Sequence, residues 1–480
     1  MDLLATKSKT NKKTWLYFYY FGKALKMADQ PRGRAVGAME NSWCHAVPGG
    51  TGITVLGFDI SRAPDMLKYQ TALHKLQNAH PIINSRLHTN TKTNTFSFVT
   101  SPPLLSKSKH STSHQLWKSL KPYQTQLNKN TWTKTTTTTS SSSGSTNDQD
   151  MFFGTIYTLP NAKWVAVMRL HVSACDHTTA ETMLRELLGY LIGGTDDGEG
   201  RGIEKEIGSK GEVNSGIEDL VPSRIAKKPF WARGVDMLSY SLNSLRLTNL
   251  KFKDTKSARS SQVVRFQMNQ EETQRILDGC KAKGIKLCGA LVAAGLMAAD
   301  KCSKHHQKKK YGVLTLIDCR SNFDPALSIH HFGNYHSVIP HIHTIKGGEN
   351  LWELAKKTDT AFASSKDNDK HFTDLAALSF VMCKAIENPA LTPSSSLRSS
   401  FMTVFEDTII DDYNDMQREL GVDDYIGCAS VHGIGPSIAI FDTIRNGRLD
   451  CVCVYPSPLH TREQMQELVD NMKKILVDLV

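Results

Sequence analysis

The same order of elements occurs twice in this chain: a strand, a helix, further strands and another helix. The two runs flank a stretch rich in Gly, Glu and Asp between Gly193 and Asp219. A chain of 480 residues is too long for one hydrophobic core, since cores stop growing near ~250–300 residues. The repetition therefore resolves into an α/β protein with two similar lobes of roughly 200 residues each. In the first run, Ile53–Ile60 is rich in β-branched residues and reads as a strand. Pro64–Gln77 places Leu67, Leu73 and Leu76 at helical spacing, and Pro81 pushes His80 out of the helical region, so the helix ends near Ala79. Thr95–Val99, Phe152–Leu159 and Lys163–His171 read as strands. Thr178–Ile192 follows as a helix with Met183, Leu184, Leu187, Leu188 and Leu191 on one face.

The second run has strands at Gln262–Met268, Val313–Asp318, Ile438–Asp442 and Arg448–Tyr455. Its helices are Glu271–Ala282, an Ala-rich buried helix at Leu287–Cys302, Asn350–Ser365 and the amphipathic Arg462–Val480. No short-period repeat is present, which excludes solenoids and propellers. The division expected is an extension at 1–27 that is disordered or targeting, a first lobe at 28–195, a crossover at 196–260 and a second lobe at 261–480. Within the first lobe, 107–150 reads as a mobile low-complexity insertion, because its Thr135–Ser143 run cannot bury enough apolar surface to offset ordering entropy.

Net charge is +11, but Lys7, Lys9, Lys12, Lys13, Lys23 and Lys26 against Asp2 supply much of it. The rest of the chain is only modestly basic, and it lacks zinc-finger spacing and an RRM-like aromatic motif, so nucleic acid is not an expected partner. The ten Cys include no C-x-x-C pair, which fits reduced thiols in a cytoplasmic protein with no metal. The apolar run Trp15–Gly22 falls short of the ~20 residues a membrane span needs, so no integral membrane segment is expected. Residues 1–26 also read as an organelle-import segment or as sequence upstream of a functional start at Met27.

The stretch Arg169–Ala180 (RLHVSACDHTTA) carries the most chemistry. An apolar strand runs into a turn holding His171, Cys175, Asp176 and His177, and a helix begins there with Asp176 or Thr178 as its cap. Polar groups gathered at a strand end often serve function. The residues equally allow an Asp176 that only caps or pairs with an Arg and a His171 that only fills the core.

This block resembles the H-H-x-x-x-D-G motif of the chloramphenicol-acetyltransferase-like superfamily, which includes condensation domains, alcohol acetyltransferases and BAHD acyltransferases. Further segments agree in order. His80-Pro81 through Leu87 resembles the family's HPxLR helix end, and Lys286–Cys302 resembles the buried helix that opens its second lobe. Leu316–Arg320 resembles its D-x-R strand, Phe332–Tyr335 its GN turn, and Asp450–Tyr455 its final strand. The resemblance extends over roughly 34–480 outside the insertions. It implies a chloramphenicol-acetyltransferase-like fold, each lobe a mixed sheet flanked by helices, with an active-site tunnel between them. It also implies transfer of an acyl group from a thioester to a hydroxyl or amine of a small molecule. Acyl-CoA would be a co-substrate, no further cofactor is needed, and the protein would act as a monomer. Asp176 would be structural and Arg320 its partner, with Val172, Cys175, Asn334 and His336 along the tunnel.

The chain departs from the family where the base should stand. That position is Val172, which cannot accept a proton. His171 matches the motif's first His, His177 replaces its Gly, and Asp450-Cys-Val-Cys-Val stands nearest to the absent DFGWG signature. The expected catalytic set is therefore His171, His177 and Asp176. His177 lies at a helix start, whose dipole favours the neutral ring. The alternative is a member of the fold that binds without acylating, or that does other chemistry in the same tunnel. His330, His331 and His336 beside the GN turn could reach the tunnel, whereas His341 and His343 lack a carboxylate partner for metal binding.

Overall fold

The computed structural model describes residues 33–90, 92–100, 109–112, 120–132, 148–159, 163–193, 214–225, 247–302, 308–411 and 415–478. The extension at 1–27, the Thr135–Ser143 run and most of the Gly193–Asp219 connection lie outside these residues.

In the first half, β1 (Gly33–Ala35), α1 (Ala38–Ala46), β2 (Thr51–Ile60), α2 (Met66–Ala79), β3 (Ser85–Asn90), β4 (Thr95–Thr100) and β5 (Lys109–Thr112) lead to α3 (Lys121–Leu127) and β6 (Asp148–Asp150). β7 (Phe152–Leu159), β8 (Lys163–His171) and α4 (His177–Ile192) close it. The second half opens with β9 (Ser260–Gln267), α5 (Gln270–Lys283), α6 (Leu287–Lys301), β10 (Lys309–Asp318) and β11 (His336–Ile345). It continues through α7 (Leu351–Asp367), α8 (Lys370–Thr373), α9 (Leu375–Glu387), β12 (Arg398–Phe405), β13 (Ile409–Asp411) and α10 (Asp415–Leu420). β14 (Val422–Val431), β15 (Gly435–Arg445), β16 (Arg448–Ser457) and α11 (Arg462–Asp478) complete it.

Each lobe is built on a mixed sheet. The first lobe's sheet has the order β14-β2-β8-β7-β5, and the second lobe's has β11-β10-β12-β15-β16-β9 with β13 beside β15. A small sheet, β1-β4-β3-β6, flanks the first lobe. Local sequence explains the elements that frame the site. Asp65 caps α2 by accepting from the Leu67 and Lys68 amides at 3.0 and 3.1 Å. His80 ends that helix at φ −126° and ψ 94°, the extended region that Pro81 requires. α6 is buried from Leu287 through Ala299, as a helix apolar on every side must be. Its glycines let it sit close to its neighbours: a Cβ on Gly295 would meet Met402 Cε at 1.9 Å.

Two features of the structure bear on the chain-order division. The division by chain order assigns 422–431 to the second lobe, yet β14 pairs antiparallel with β2 from Val422–Ile60 to Val431–Thr51 and completes the first lobe's sheet. β2 is buried along nearly its whole length, and an uncovered edge there would expose unpaired backbone. Arg265 ties the crossing strand to the second sheet, pairing with Asp424 at 2.6 Å and with Asp450, while Arg445 donates to Asp424 at 3.0 Å. The second feature concerns the described part of 107–150. β5 pairs with β7, and Tyr123, Leu127 and Trp132 are buried in the core with Val55 and Val165. The Thr/Ser composition of the tract masks these few apolar anchors.

Candidate active site

β8 delivers the turn between the lobes. After His171 the chain makes one tight helical turn over Val172–Ala174, extends at Cys175 (φ −154°, ψ 102°) and enters α4 with Asp176 as its cap. Asp176 Oδ1 accepts from the Thr179 amide at 2.7 Å and Oδ2 from the Tyr335 amide at 2.8 Å. Arg320 Nη1 lies 2.9 Å from Oδ2 and Nη2 lies 3.2 Å from Oδ1. Both side chains are nearly sealed, at 1% and 3% exposure. Burial pushes the Asp176 carboxyl up, but the Arg320 guanidinium outweighs it and holds the group at about 2. Arg320 also donates to Asp318 at 3.0 Å, to Thr179 Oγ1 at 2.9 Å and to the His331 carbonyl at 3.0 Å. Asp176 is thus a saturated carboxylate that joins α4 to the 331–336 loop. From that loop Asn334 Nδ2 donates to the Val172 carbonyl at 2.9 Å. A buried Glu186 braces the same loop: His80 and His330 each reach it at 2.6 Å, and His80 stacks on Phe332 at 3.5 Å.

A cavity of about 810 Å³ lies between the lobes. Val172, Cys175, His177, Asn334 and His336 all contribute to its wall. His171 does not. Its ring is fully buried, stands edge-on to Trp132 at 5.2 Å, and accepts at Nδ1 from Ser173 Oγ at 2.7 Å. Burial alone pushes its pKa down to about 3. His171 ends β8 with its ring against Trp132, and the tight turn that begins at Val172 brings the next side chain to the cavity.

His177 and His336 approach the cavity from opposite lobes and share one neighbour. The His177 ring tilts over Phe405 at 4.4 Å, and the His336 ring meets the same Phe405 edge-on at 5.8 Å. His336 Nδ1 lies 3.9 Å from Asp176 Oδ2. His177 Nε2 is buried without a hydrogen-bond partner. Burial first, and the neighbouring His336 second, push the His177 pKa down to about 3, so the ring is neutral at physiological pH. Cys175 is a poor nucleophile, since burial drives its thiol well above the ordinary range. Val172 fits closely because Gly52, at φ +87°, has no side chain; a Cβ there would stand 2.5 Å from Val172 Cγ1.

Four more unpartnered polar atoms belong to residues on this wall: Thr51 Oγ1, Ser400 Oγ, Thr403 Oγ1 and His341 Nε2. Sequence reasoning missed the three hydroxyls. Alternation along β12 places Thr403 on the same face as Phe405, a signal readable only once that strand is known. Among the described residues no group of three or more His, Cys, Asp or Glu could hold a metal. No single helix among them is long and apolar enough to cross a membrane.

No family model and no curated protein sequence matches this chain. Solved structures do match. Trichothecene 15-O-acetyltransferase from Fusarium sporotrichioides superposes with a TM-score of 0.70 at 11% identity, covering 93% of this chain and 95% of that one. Polyketide synthase associated protein 5 from Mycobacterium tuberculosis gives 0.61 at 13% identity over 93% and 98%. The condensation domain of the Monacolin K polyketide synthase MokA gives 0.58 at 9% over 93% and 97%. The chain shares the two-lobe, chloramphenicol-acetyltransferase-like fold of these structures, and at such identities the likeness is one of fold.

Proposed function

We propose that the protein moves an acyl group from a thioester such as acyl-CoA to a hydroxyl or amine of a small molecule held in the interlobe cavity. The observation that carries this reading is the pair of imidazoles, His177 and His336, set against Phe405 on the cavity wall. We assign His336 as the base on geometry: it lines the cavity, and the Asp176 carboxylate 3.9 Å from its Nδ1 leaves the other ring nitrogen to take the acceptor's proton. The freed oxygen or nitrogen attacks the thioester carbon, and the carbonyl electrons move to oxygen. When they return, the C–S bond breaks and the thiolate takes the proton back from His336. Neutral His177 offers a hydrogen bond to the acceptor, and the unpartnered Thr403 hydroxyl is a donor available to the developing oxyanion.

One observation favours a second reading, a protein of the same fold that binds without acylating: Val172 occupies the wall where the resemblance expects the base. Mass-spectrometric detection of product from a panel of acyl-CoAs and amine or alcohol acceptors separates the two. Transfer should fall by about 10²–10⁴ in His336→Ala and more modestly in His177→Ala. Unchanged transfer in both variants overturns the site. Thioester binding without transfer by any pair supports the second reading.

A further inference from the structure

The face that β10 and β11 turn to the cavity is apolar over a longer distance than the reacting groups require. Leu316 pairs with Val338, Leu314 with Pro340 and Gly312 with Ile342. All six line the cavity, and the period-two alternation of strands puts them on one face. From His336 to Ile342 this track runs six residues, about 20 Å of strand. It ends at solvent. Ile342 is 45% exposed, and Phe380 and Leu391, which also line the cavity, are 48% and 38% exposed. The other large apolar side chains exposed among the described residues, Leu67, Ile329 and Ile410, line no part of it.

The charged side chains on the wall are already engaged. Asp176 is held by Arg320. The Arg398 guanidinium donates to the carbonyls of Ser396, Val431, Gly433 and Pro436. Lys384 pairs with Glu387 at 2.6 Å. An ionised group on a ligand would lose its hydration here and find no free countercharge, whereas a neutral apolar chain would bury its surface along the track.

We infer that the cavity takes a neutral, lipophilic acceptor alcohol, whose apolar body lies along β10 and β11 from His336 outward to Ile342, Phe380 and Leu391. This rests on the acyl-transfer reading for the choice of the His336 end as the reactive one. The test measures binding of straight-chain primary alcohols, from hexanol to dodecanol, to the full-length protein by displacement of the neutral dye Nile red. Affinity should rise about fourfold for each added methylene, and dodecanoate should bind at least roughly tenfold more weakly than dodecanol. Combining Ile342→Asp with Phe380→Asp should abolish the gain from decanol to dodecanol, while Leu67→Asp should preserve the full series. A flat series, equal binding of the carboxylate, or an undiminished series in the double variant overturns the inference. The two readings fail separately. Acyl transfer with a flat series sinks only the lipophilic assignment, and a steep series without transfer sinks only the chemistry.

Discussion

Replacing Arg320 by Met tests the electrostatic lock at the motif turn. Met roughly preserves the volume and removes the guanidinium, so Asp176, whose side chain is 1% exposed, keeps only the Thr179 and Tyr335 amides. Breaking a buried pair by removing one partner costs about 3–5 kcal/mol, most of it from the charge left behind. The pH dependence gives a sharper signature. In the native protein the Asp176 pKa is depressed to about 2 from an ordinary 3.8. The unfolded chain therefore binds its proton first on acidification. The pair's contribution is fully present above pH ~4 and is lost as pH falls toward ~2. Without Arg320, burial dominates and raises the carboxyl, so protonation relieves the buried charge. The stability difference between variant and native protein should then narrow as pH falls from ~7 toward ~4. Urea denaturation at several pH values measures this directly. Adding Asp176→Asn to Arg320→Met should recover part of the loss, since no buried charge remains there. A loss below ~1 kcal/mol, or a difference that widens on acidification, would refute the argument.

Other variants probe the neighbouring groups. Val172→His restores an imidazole at the wall position where the resemblance expects one, and should raise the acyl-transfer rate by about tenfold or more; unchanged turnover would show that the limiting step lies elsewhere. His171→Phe should leave transfer by the folded protein intact. Because the His171 pKa falls from 6.5 to about 3 on folding, native stability declines as pH drops through that window, and the variant should remove about 1.4 kcal/mol per pH unit of that slope. Gly52→Ala should destabilise by about 1–3 kcal/mol, since its φ is +87° and the new Cβ would strike Val172; a neutral effect in thermal denaturation would contradict the close fit.

Local rules carried much of the architecture. β7 and β8 run over the residues that their apolar composition marks, Phe152–Leu159 and Lys163–His171. α2 ends where Pro81 stops it, and α6 is buried as its uniform apolarity demands. What stayed hidden depends on contacts remote in sequence. β14 joins β2 across more than three hundred residues, and no local propensity specifies that partner. Tyr123, Leu127 and Trp132 were lost in the average composition of a polar tract. At the site, residue types marked the turn but could not choose between its two histidines. The structure separates them by place: His171 closes β8 against Trp132, whereas Val172, in the turn that follows, and His177, at the start of α4, line the cavity. The Asp176–Arg320 contact links residues on different lobes, so only the resemblance, and not spacing, suggested it.

The central claim is that an acyl thioester places its acyl group inside the interlobe cavity, beside His177 and His336. Photo-crosslinking with an acyl-CoA that carries a diazirine at the acyl end, followed by peptide mapping, examines that directly. Labelling should concentrate on peptides bearing Val172, Leu316, Val338 and Phe405, and excess unlabelled thioester should suppress it. Adducts confined to outer surfaces such as α5 or α11, or labelling that competitor leaves unchanged, would contradict it.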